Sequence, residues 1–492
     1  MRSTFHGLEV SKRGLIAQQA ALNTTGHNIA NANTEGYTRQ RVNMVATTGI
    51  PYVGLNMSRE AGLLGTGVMV SDIQRLREDF LDLQFRNENK ILGYWDERVD
   101  ALAKIEAILQ EPSETGLQKV MDQMWQAWQD LSKDPINPST RAVVRERSIA
   151  VAETFANLYK QLQQIQQDMD HVIGVKALEV NSLAQQIAAV NKMINDVVPH
   201  GYVPNDLYDQ RDVLIDKLSK LVPVKVNYVE NGMVDIEVDG RDLVNGYTSV
   251  PVAAVRNPQT GLNEFTIGGV SFKPTSGAIT AILESRDVLI PGTMERLDLL
   301  AINLTREINN VHKLGYSISD INAGGGSSQI PFFVDRVKGG TADPTGAANI
   351  AINPAILASL DAIAAARPEP DGSVVAGNNE NALAIAQIKF KIIPAGAGPT
   401  DFKEATTLDD YYRYTIGELG VKGQEAIRNQ KNSETIVNMV AAQRESVSGV
   451  SIDEEMSNLV KYQHAYNAAA RSITAVDEIL DRIINGMGRV GL

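Results

Sequence analysis

The sequence contains no cysteine among its 492 residues. Disulfide bridges, thiolate zinc sites, iron–sulfur clusters and cysteine nucleophiles are therefore excluded. Aromatic residues are also scarce, at 5% of the chain, and the apolar residues are mostly Ala, Val, Ile and Leu. Such a composition is typical of a helix-rich protein.

The chain also lacks an excess of basic residues and lacks long apolar runs. Its formal net charge is −13, which argues against a nucleic-acid-binding protein. No apolar run approaches the roughly 18 residues needed to cross a bilayer, so we expect no membrane span. Glu9, Lys12 and Arg13 interrupt the N-terminal segment, so we expect no cleaved signal peptide. The length predicts roughly three domains.

Near the C-terminus, apolar residues recur every seven positions, and a second apolar row follows three positions later. The first row is Ile452, Leu459, Tyr466, Ile473, Leu480 and Met487, and the second contains Tyr462, Ala469, Val476, Ile483 and Val490. This a/d pattern predicts a helix of about 38 residues, or about 57 Å, with one apolar seam. A helix of this kind needs a partner helix.

The N-terminal segment shows a weaker repeat of the same length. Its apolar row is Leu8, Leu15, Leu22 and Ile29, but polar residues occupy the second row. The two terminal stripes are expected to pack together, and the N-terminal helix is expected to be stable only in the assembled state. Asn31, Asn33 and Gly36 then predict a turn that ends it.

Between these ends, the pattern predicts an elongated helical bundle that encloses a small β-domain and an irregular insertion. Asn137 and Pro138 predict the start of a long helix, whose apolar pattern is interrupted at Gly174. Asn231-Gly232 predicts a hairpin turn where the apolar period changes to two. The segment 316–407 is rich in Gly, Pro, Ala and Asn and is expected to be irregular and surface-exposed.

The fold class is therefore mainly α with a β-rich insertion (α+β), in the form of an elongated rod. The expected domains are 1–60 plus 450–492 as a terminal coiled-coil assembly domain, 61–222 plus 284–315 plus 408–449 as the helical bundle, 223–283 as the β-domain, and 316–407 as the insertion.

The residue patterns predict no catalytic, cofactor or metal site, so we do not expect the chain to be an enzyme. None of the six histidines occurs as HExxH, and we expect them to be surface or packing residues. One predicted helix face carries four aspartates, which either bind a divalent cation or form a solvated face: Asp206, Asp209, Asp212 and Asp216. Nearby cationic residues favour the solvated face.

Several long segments of the chain resemble the flagellar axial proteins, the family of rod, hook and hook-associated proteins. Residues 21–43, ALNTTGHNIANANTEGYTRQRVN, are similar to the family's N-terminal motif, and residues 445–485 are similar to its C-terminal motif. Interior segments such as NDLYDQRDVLIDKLSKLV (205–222) and NNENALAIAQI also fit. The matching positions of the N-terminal motif are Asn28, Asn31, Asn33, Gly36 and Tyr37.

The resemblance implies a structural protein of the bacterial flagellum, an adaptor at the hook–filament junction that is exported without a cleaved signal peptide. It implies a ring of copies of this chain, the hook protein and hook-associated protein 3 as neighbours, and a cytosolic export chaperone on the C-terminal helix. Periodicity alone leaves an intramolecular clamp and an intersubunit lattice equally open, whereas the resemblance favours the lattice. The alternatives are another axial protein, of hook or rod type, and a surface-binding or hydrolytic module on a helical stalk.

The predicted assembly interface consists of the apolar residues of both seams: Leu8, Leu15, Leu22, Ile29, Ile452, Leu459, Tyr462, Tyr466, Ile473, Val476, Leu480, Ile483 and Met487.

Overall fold

The structure is a computed structural model that describes residues 5–49, 65–111, 113, 116–370 and 372–486. The chain is 63% helical, with several small antiparallel sheets. The expected class, mainly α with a β-rich insertion, is thus confirmed. Met487 of the predicted interface lies outside the described residues.

The helices, in chain order, are α1 (His6–Ala30), α2 (Asp79–Leu109), α3 (Leu117–Lys133), α4 (Pro138–Val197), α5 (Asn205–Leu221), α6 (Ala278–Glu284), α7 (Ile290–His312), α8 (Ile318–Asn322), α9 (Pro354–Ala358), α10 (Glu380–Gln387), α11 (Leu408–Ser448) and α12 (Ile452–Gly486). The strands are β1 (Gln40–Ala46), β2 (Val68–Arg75), β3 (Lys225–Tyr228), β4 (Val234–Val238), β5 (Arg241–Asn245), β6 (Thr248–Ser249), β7 (Val252–Arg256), β8 (Asn263–Ile267), β9 (Val270–Ser271), β10 (Tyr316–Ser317), β11 (Phe333–Asp335), β12 (Ile350–Ile352) and β13 (Ala364–Ala366).

The 60-residue helix α4 is the longest element of the bundle and starts where the sequence predicts. The Asn137 side chain accepts a hydrogen bond from the Ser139 backbone N–H at 2.8 Å, and Pro138 follows as the first helical residue. The interruption expected at Gly174 is absent. One glycine costs a helix only about 1 kcal/mol, and the buried Ile173 and Ala177 anchor the helix on either side.

The β-domain lies between α5 and α6 and consists of two antiparallel sheets, β3-β4-β5-β6 and β7-β8-β9. Its first hairpin turns at Asn231, which has φ +56°, as predicted. The expected end at residue 283 is wrong, because α6 already begins at Ala278. A Cβ on Gly277 would lie only 2.5 Å from the Leu221 carbonyl oxygen, so this glycine lets the chain turn closely into α6.

The insertion is not a surface-exposed module. Short elements α8–α10 and β10–β13 cover part of the bundle, and Phe332 and Phe333 are fully buried. The Phe332 ring makes edge contacts with Trp128 at 5.2 Å and with His312 at 5.3 Å. The segment looked irregular because its elements are short, but its apolar side chains join the main core.

His312 is a packing histidine, as expected, and the fold holds it neutral. Its Nε2 accepts the Ala364 backbone N–H at 3.0 Å, so Nδ1 carries the proton and faces the Ile330 carbonyl oxygen at 2.9 Å. Burial lowers the pKa of His312 from 6.5 to about 4.

We expect His312 to make folding stability fall in mild acid. The pKa is depressed in the folded state, so the contribution is complete above pH 6.5 and is lost as the pH falls towards 4. The loss at pH 5 is about 2 kcal/mol. Urea unfolding of the parent and of His312→Gln between pH 7 and pH 4 measures it. Parallel curves for the two proteins would contradict this assignment.

The main core excludes both terminal helices. The contiguous cluster of buried apolar side chains extends from Ala101 to Ala426 and includes no described residue of α1 or α12. The chain also exposes 26,016 Å², whereas a compact protein of this mass exposes about 18,000 Å². None of the described helices is long and apolar enough to cross a membrane. The architecture is thus an extended bundle with a separate pair of helices at its end.

Candidate functional site at the paired terminal helices

Helices α1 and α12 pack side by side in opposite directions. A Cβ on Gly7 would lie 3.6 Å from Val476 Cγ2, and a Cβ on Gly14 would lie 4.0 Å from Ala469 Cβ. Further along, Asn28 Nδ2 donates to Glu455 Oε2 at 3.1 Å. Because residue numbers rise on α1 as they fall on α12, the pair is antiparallel. The structure thus brings the two predicted terminal stripes together.

On α12 most of the residues of the predicted seam lie on a half-buried side of the helix. The residues that are half-buried, as expected for one covered side, are Leu459, Tyr462, Tyr466, Ile473, Val476 and Leu480. Ile452 and Ile483 are exposed, at 50% and 39%. The placement of these two residues in a buried seam is wrong for the chain by itself, because Ile452 is the first residue of the helix and Ile483 lies near its far end.

On α1 the predicted apolar row is half-buried, as most of the α12 seam is; its members are Leu8, Leu15, Leu22 and Ile29. Small and polar residues also meet α12 closely, among them Gly7, Gly14 and the buried Asn28. Small residues let the two backbones approach, and α1 also packs against the hairpin of β1 and β2. The leucine spacing did not indicate these small-residue contacts.

The turn after α1 is organised by Asn28, which is 1% exposed. Its Oδ1 accepts from the Tyr37 hydroxyl at 2.8 Å and from the Gln40 backbone N–H at 3.0 Å. Its Nδ2 donates to the Gln40 carbonyl oxygen at 2.9 Å and to Glu455. The side chain thus uses both donors and its acceptor to join the end of α1, strand β1 and the first turn of α12.

The remaining motif positions shape the same turn. Asn31 Nδ2 donates to the His27 carbonyl oxygen at 3.1 Å, which also accepts the Asn31 backbone N–H, so the side chain reinforces the end of α1. Gly36 has φ +75°, and a Cβ there would lie 2.0 Å from Val213 Cγ2, so only glycine fits against α5. Asn33 is exposed. The motif is therefore a connector between the terminal pair and the bundle.

Below the turn lies a buried charge network that we call the base cluster. Its members are Arg75, Arg77, Arg86, Arg444, Asp82, Asp209, Asp212 and Asp216. They come from β2, the short connection after it that contains Arg77, α2, α5 and α11, so the network ties the hairpin to three bundle helices. Positive and negative side chains are equal in number, which allows the cluster to be buried without a net charge.

Asp212 lies at the centre of the base cluster. Its carboxylate oxygens are 3.0 Å from Arg75 Nη1, 3.5 Å from Arg77 Nη1 and 3.2 Å from Arg86 Nη2. Burial disfavours the ionised form, but the three guanidinium groups outweigh that effect and lower the pKa of Asp212. The carboxylate is therefore held ionised by its partners.

The interpretation of the α5 aspartates as a solvated face is wrong. Asp209 and Asp212 are 5% and 6% exposed and paired with arginines, and only Asp206 is largely exposed. No local pattern indicates this pairing, because Arg75 and Arg444 lie far from α5 along the chain. Among the described residues no group of three or more His, Cys, Asp or Glu side chains is arranged to hold a metal ion.

Sequence reasoning also missed Glu455 and its partner. Glu455 is 2% exposed, and its Oε1 accepts from Arg39 Nε at 2.8 Å. Burial of Tyr37 raises the pKa of its hydroxyl, and the charges of Asp206, Asp209 and Glu455 raise it further. A signal was present, since Glu455 lies seven residues before Tyr462 and so occupies a seam position. A charged residue in an apolar repeat indicates a buried partner.

Comparisons with known proteins agree with these elements. Residues 102–328 match the family model "Flagellar hook-associated protein FlgK helical domain". Residues 8–38 match "Flagella basal body rod protein", and residues 446–486 match "Flagellar basal body rod FlgEFG protein C-terminal". The two terminal matches fall on α1 with its turn and on α12.

Full-length relatives extend the match to the whole chain. The chain is 38% identical to flagellar hook-associated protein 1 of Bacillus subtilis (strain 168), over 99% of both chains. It is 25% identical to the protein of that name from Escherichia coli (strain K12), over 96% of this chain and 98% of the relative.

A solved structure shows the same fold. The flagellar hook junction protein FlgK from Burkholderia pseudomallei aligns with a TM-score of 0.60 at 15% identity, covering 75% of this chain and all of that one. The 38% identity to the Bacillus relative over the full length shows that the chain belongs to the flagellar hook-associated protein 1 family.

Proposed function

We propose that this chain forms a ring at the junction between the flagellar hook and filament, in which the terminal helix pairs of neighbouring copies pack against one another. As a member of its family, the chain is a structural component of the flagellum. Its direct neighbours in this proposal are further copies of itself, the hook protein and hook-associated protein 3. The bundle and the β-domain occupy the space outside the ring of helices.

The observation that carries this proposal is the incomplete burial of α12. Pairing with α1 covers one side of the seam, but Leu459, Tyr466 and Ile473 remain half-exposed. Apolar side chains outside the seam are also open, including Met456 at 48% and Ile479 at 58%. Exposed apolar surface on this scale marks an interaction site. Packing against further helices in a tubular lattice would cover it.

Deletion of the gene tests the proposed role. Cells without the chain are expected to keep their hooks, lose their filaments and release filament protein into the medium. A plasmid copy of the parent gene serves as the control and should restore filaments. Deletion cells that retain attached filaments would refute the junction role.

We also propose that a cytosolic export chaperone binds the α12 face before export. The same half-exposed residues, among them Tyr462, Tyr466 and Val476, suit a helix-binding groove. Chaperone and lattice would then compete for one surface, and premature polymerisation would be prevented until export removes the chaperone.

Truncation tests which end of the chain binds the chaperone. We expect removal of 452–492 to abolish the chaperone complex, because the binding face is lost. Removal of 1–40 should leave the affinity within about threefold, since α12 stays intact. Titration calorimetry with the purified chaperone measures both. Unchanged affinity after loss of 452–492 would contradict the proposal.

A further inference from the structure

The terminal helix pair contains a buried polar layer, whereas its contacts at Gly7 and Gly14 are with apolar side chains. In that layer Glu455, 2% exposed, accepts from Asn28 Nδ2 at 3.1 Å and from Arg39 Nε at 2.8 Å. Arg39 is itself fixed, since its backbone N–H donates to the Ser448 carbonyl oxygen at 2.8 Å and its carbonyl oxygen accepts from the Leu76 N–H at 2.9 Å. The layer therefore joins α1, α12, the end of α11 and the chain just after β2.

The contacts above this layer repeat every seven residues. Gly7 meets Val476, Gly14 meets Ala469, and Asn28 meets Glu455. Each step of seven along α1 thus matches a step of seven back along α12. In both of the apolar layers at Gly7 and Gly14, a residue without a side chain on α1 faces an apolar residue on α12.

A set of similar contacts repeated every seven residues does not by itself determine how α1 and α12 are aligned. If α12 slid by seven residues, or about 10 Å, Gly7 would meet Ala469 and small residues would still face apolar ones. The polar layer alone would be broken, because Glu455 would lie against Ala21 without a hydrogen-bond donor. A buried carboxylate without a partner is strongly unfavourable.

We propose that Glu455 is the register-determining residue of the terminal helix pair. Its bonds to Asn28 and Arg39 select one alignment of α12 on α1, as a single buried polar residue does in coiled coils. Glu455 thereby positions the half-exposed apolar residues of α12 for the next copy. This inference deepens the proposed junction role and rests on it only for the final consequence.

The absence of cysteine allows a direct test in the full-length chain. A cysteine at Ala469 is combined with one at Gly14, at Gly7 or at Ala21. The Cβ separation of 4.0 Å between positions 14 and 469 suits a disulfide. The other two pairs form a disulfide only after a slide of seven residues in either direction. Oxidation followed by mass spectrometry gives the yield of each link.

We expect the Gly14→Cys/Ala469→Cys link to exceed both shifted links by at least about tenfold in the parent background. In Glu455→Leu the excess should fall to near equality. Glu455→Gln keeps an acceptor for Asn28 and should restore the parent pattern. This rescue separates a register role from a general effect of mutation.

The neighbouring glutamate provides a matched control. Glu454 also binds Arg39, at 2.7 Å from Nη1, but 62% of its side chain is exposed. Glu454→Leu removes the same charge and should leave the links unchanged. An exclusive Gly14–Ala469 link in Glu455→Leu would overturn the inference, because the chain connections would then set the register. The assay needs no flagellum, so its failure is distinct from failure of the junction role.

Discussion

The double variant Leu459→Asp/Ile473→Asp should fail to attach filaments. Both residues lie in the half-buried seam of α12, and assembly in the proposed lattice would bury their second side. Each buried, unpaired carboxylate costs several kcal/mol. This cost exceeds the stabilisation that one contact between neighbouring helices provides. Electron microscopy of cells carrying the variant gives the fraction of hooks that bear filaments.

The bundle should remain folded in that variant, because none of the described side chains of α12 belongs to its core. Thermal unfolding of the purified variant checks this point. The matched control is Asn467→Asp/Thr474→Asp, which adds the same charges at two exposed positions of the same helix. Normal filaments on the control and none on the seam variant are expected. Filaments on both would refute a lattice role for the seam.

The largest loss of folding stability is expected for Asp212→Ala. Removing this carboxylate leaves Arg75, Arg77 and Arg86 close together at the base cluster without their shared partner. Breaking a buried ion pair from one side costs about 3–5 kcal/mol. Denaturant unfolding should show a lower midpoint with an unchanged slope.

Asp206→Ala on the same helix is the control for that prediction. The Asp206 side chain is 64% exposed, so its removal should change the free energy of unfolding by no more than about 0.5 kcal/mol. Equal losses of unfolding free energy for Asp212→Ala and Asp206→Ala would contradict the prediction, because the buried base cluster would then stabilise the fold no more than a surface charge does.

The features predicted correctly from the sequence are those with a local signal. The half-buried side of α12 follows from a seven-residue period, and the start of α4 follows from Asn137 and its proline. The hairpin at Asn231 follows from its turn residues. In each case the physical cause lies within a few residues of its effect.

The features that were not predicted depend instead on contacts between residues far apart in the sequence. The leucine row of α1 does not indicate that the glycines at 7 and 14 also meet α12 at close approach. The aspartates of α5 were taken for a solvated face because their arginine partners are distant in sequence. Phe332 lies in a segment rich in glycine, yet it is fully buried because Trp128 packs on it. Long-range pairing leaves no local pattern.

The central claim is that assembly completes the burial of the terminal helices. In the free chain, α1 and α12 lie outside the main core, and a helix with an impure apolar stripe is marginal by itself. We therefore expect the pair to form in its preferred register but to open often in the free chain, so that its backbone amides exchange quickly while amides of the bundle core exchange slowly.

Hydrogen exchange of residues 5–30 and 455–486, measured in the free chain and in isolated hooks that carry it, tests this claim most directly. We expect fast exchange in the free chain and strong protection on the hook, with little change in α4. Equal protection of both helices in a confirmed monomer and on the hook would contradict it, because the pair would then be a self-sufficient intramolecular coiled coil.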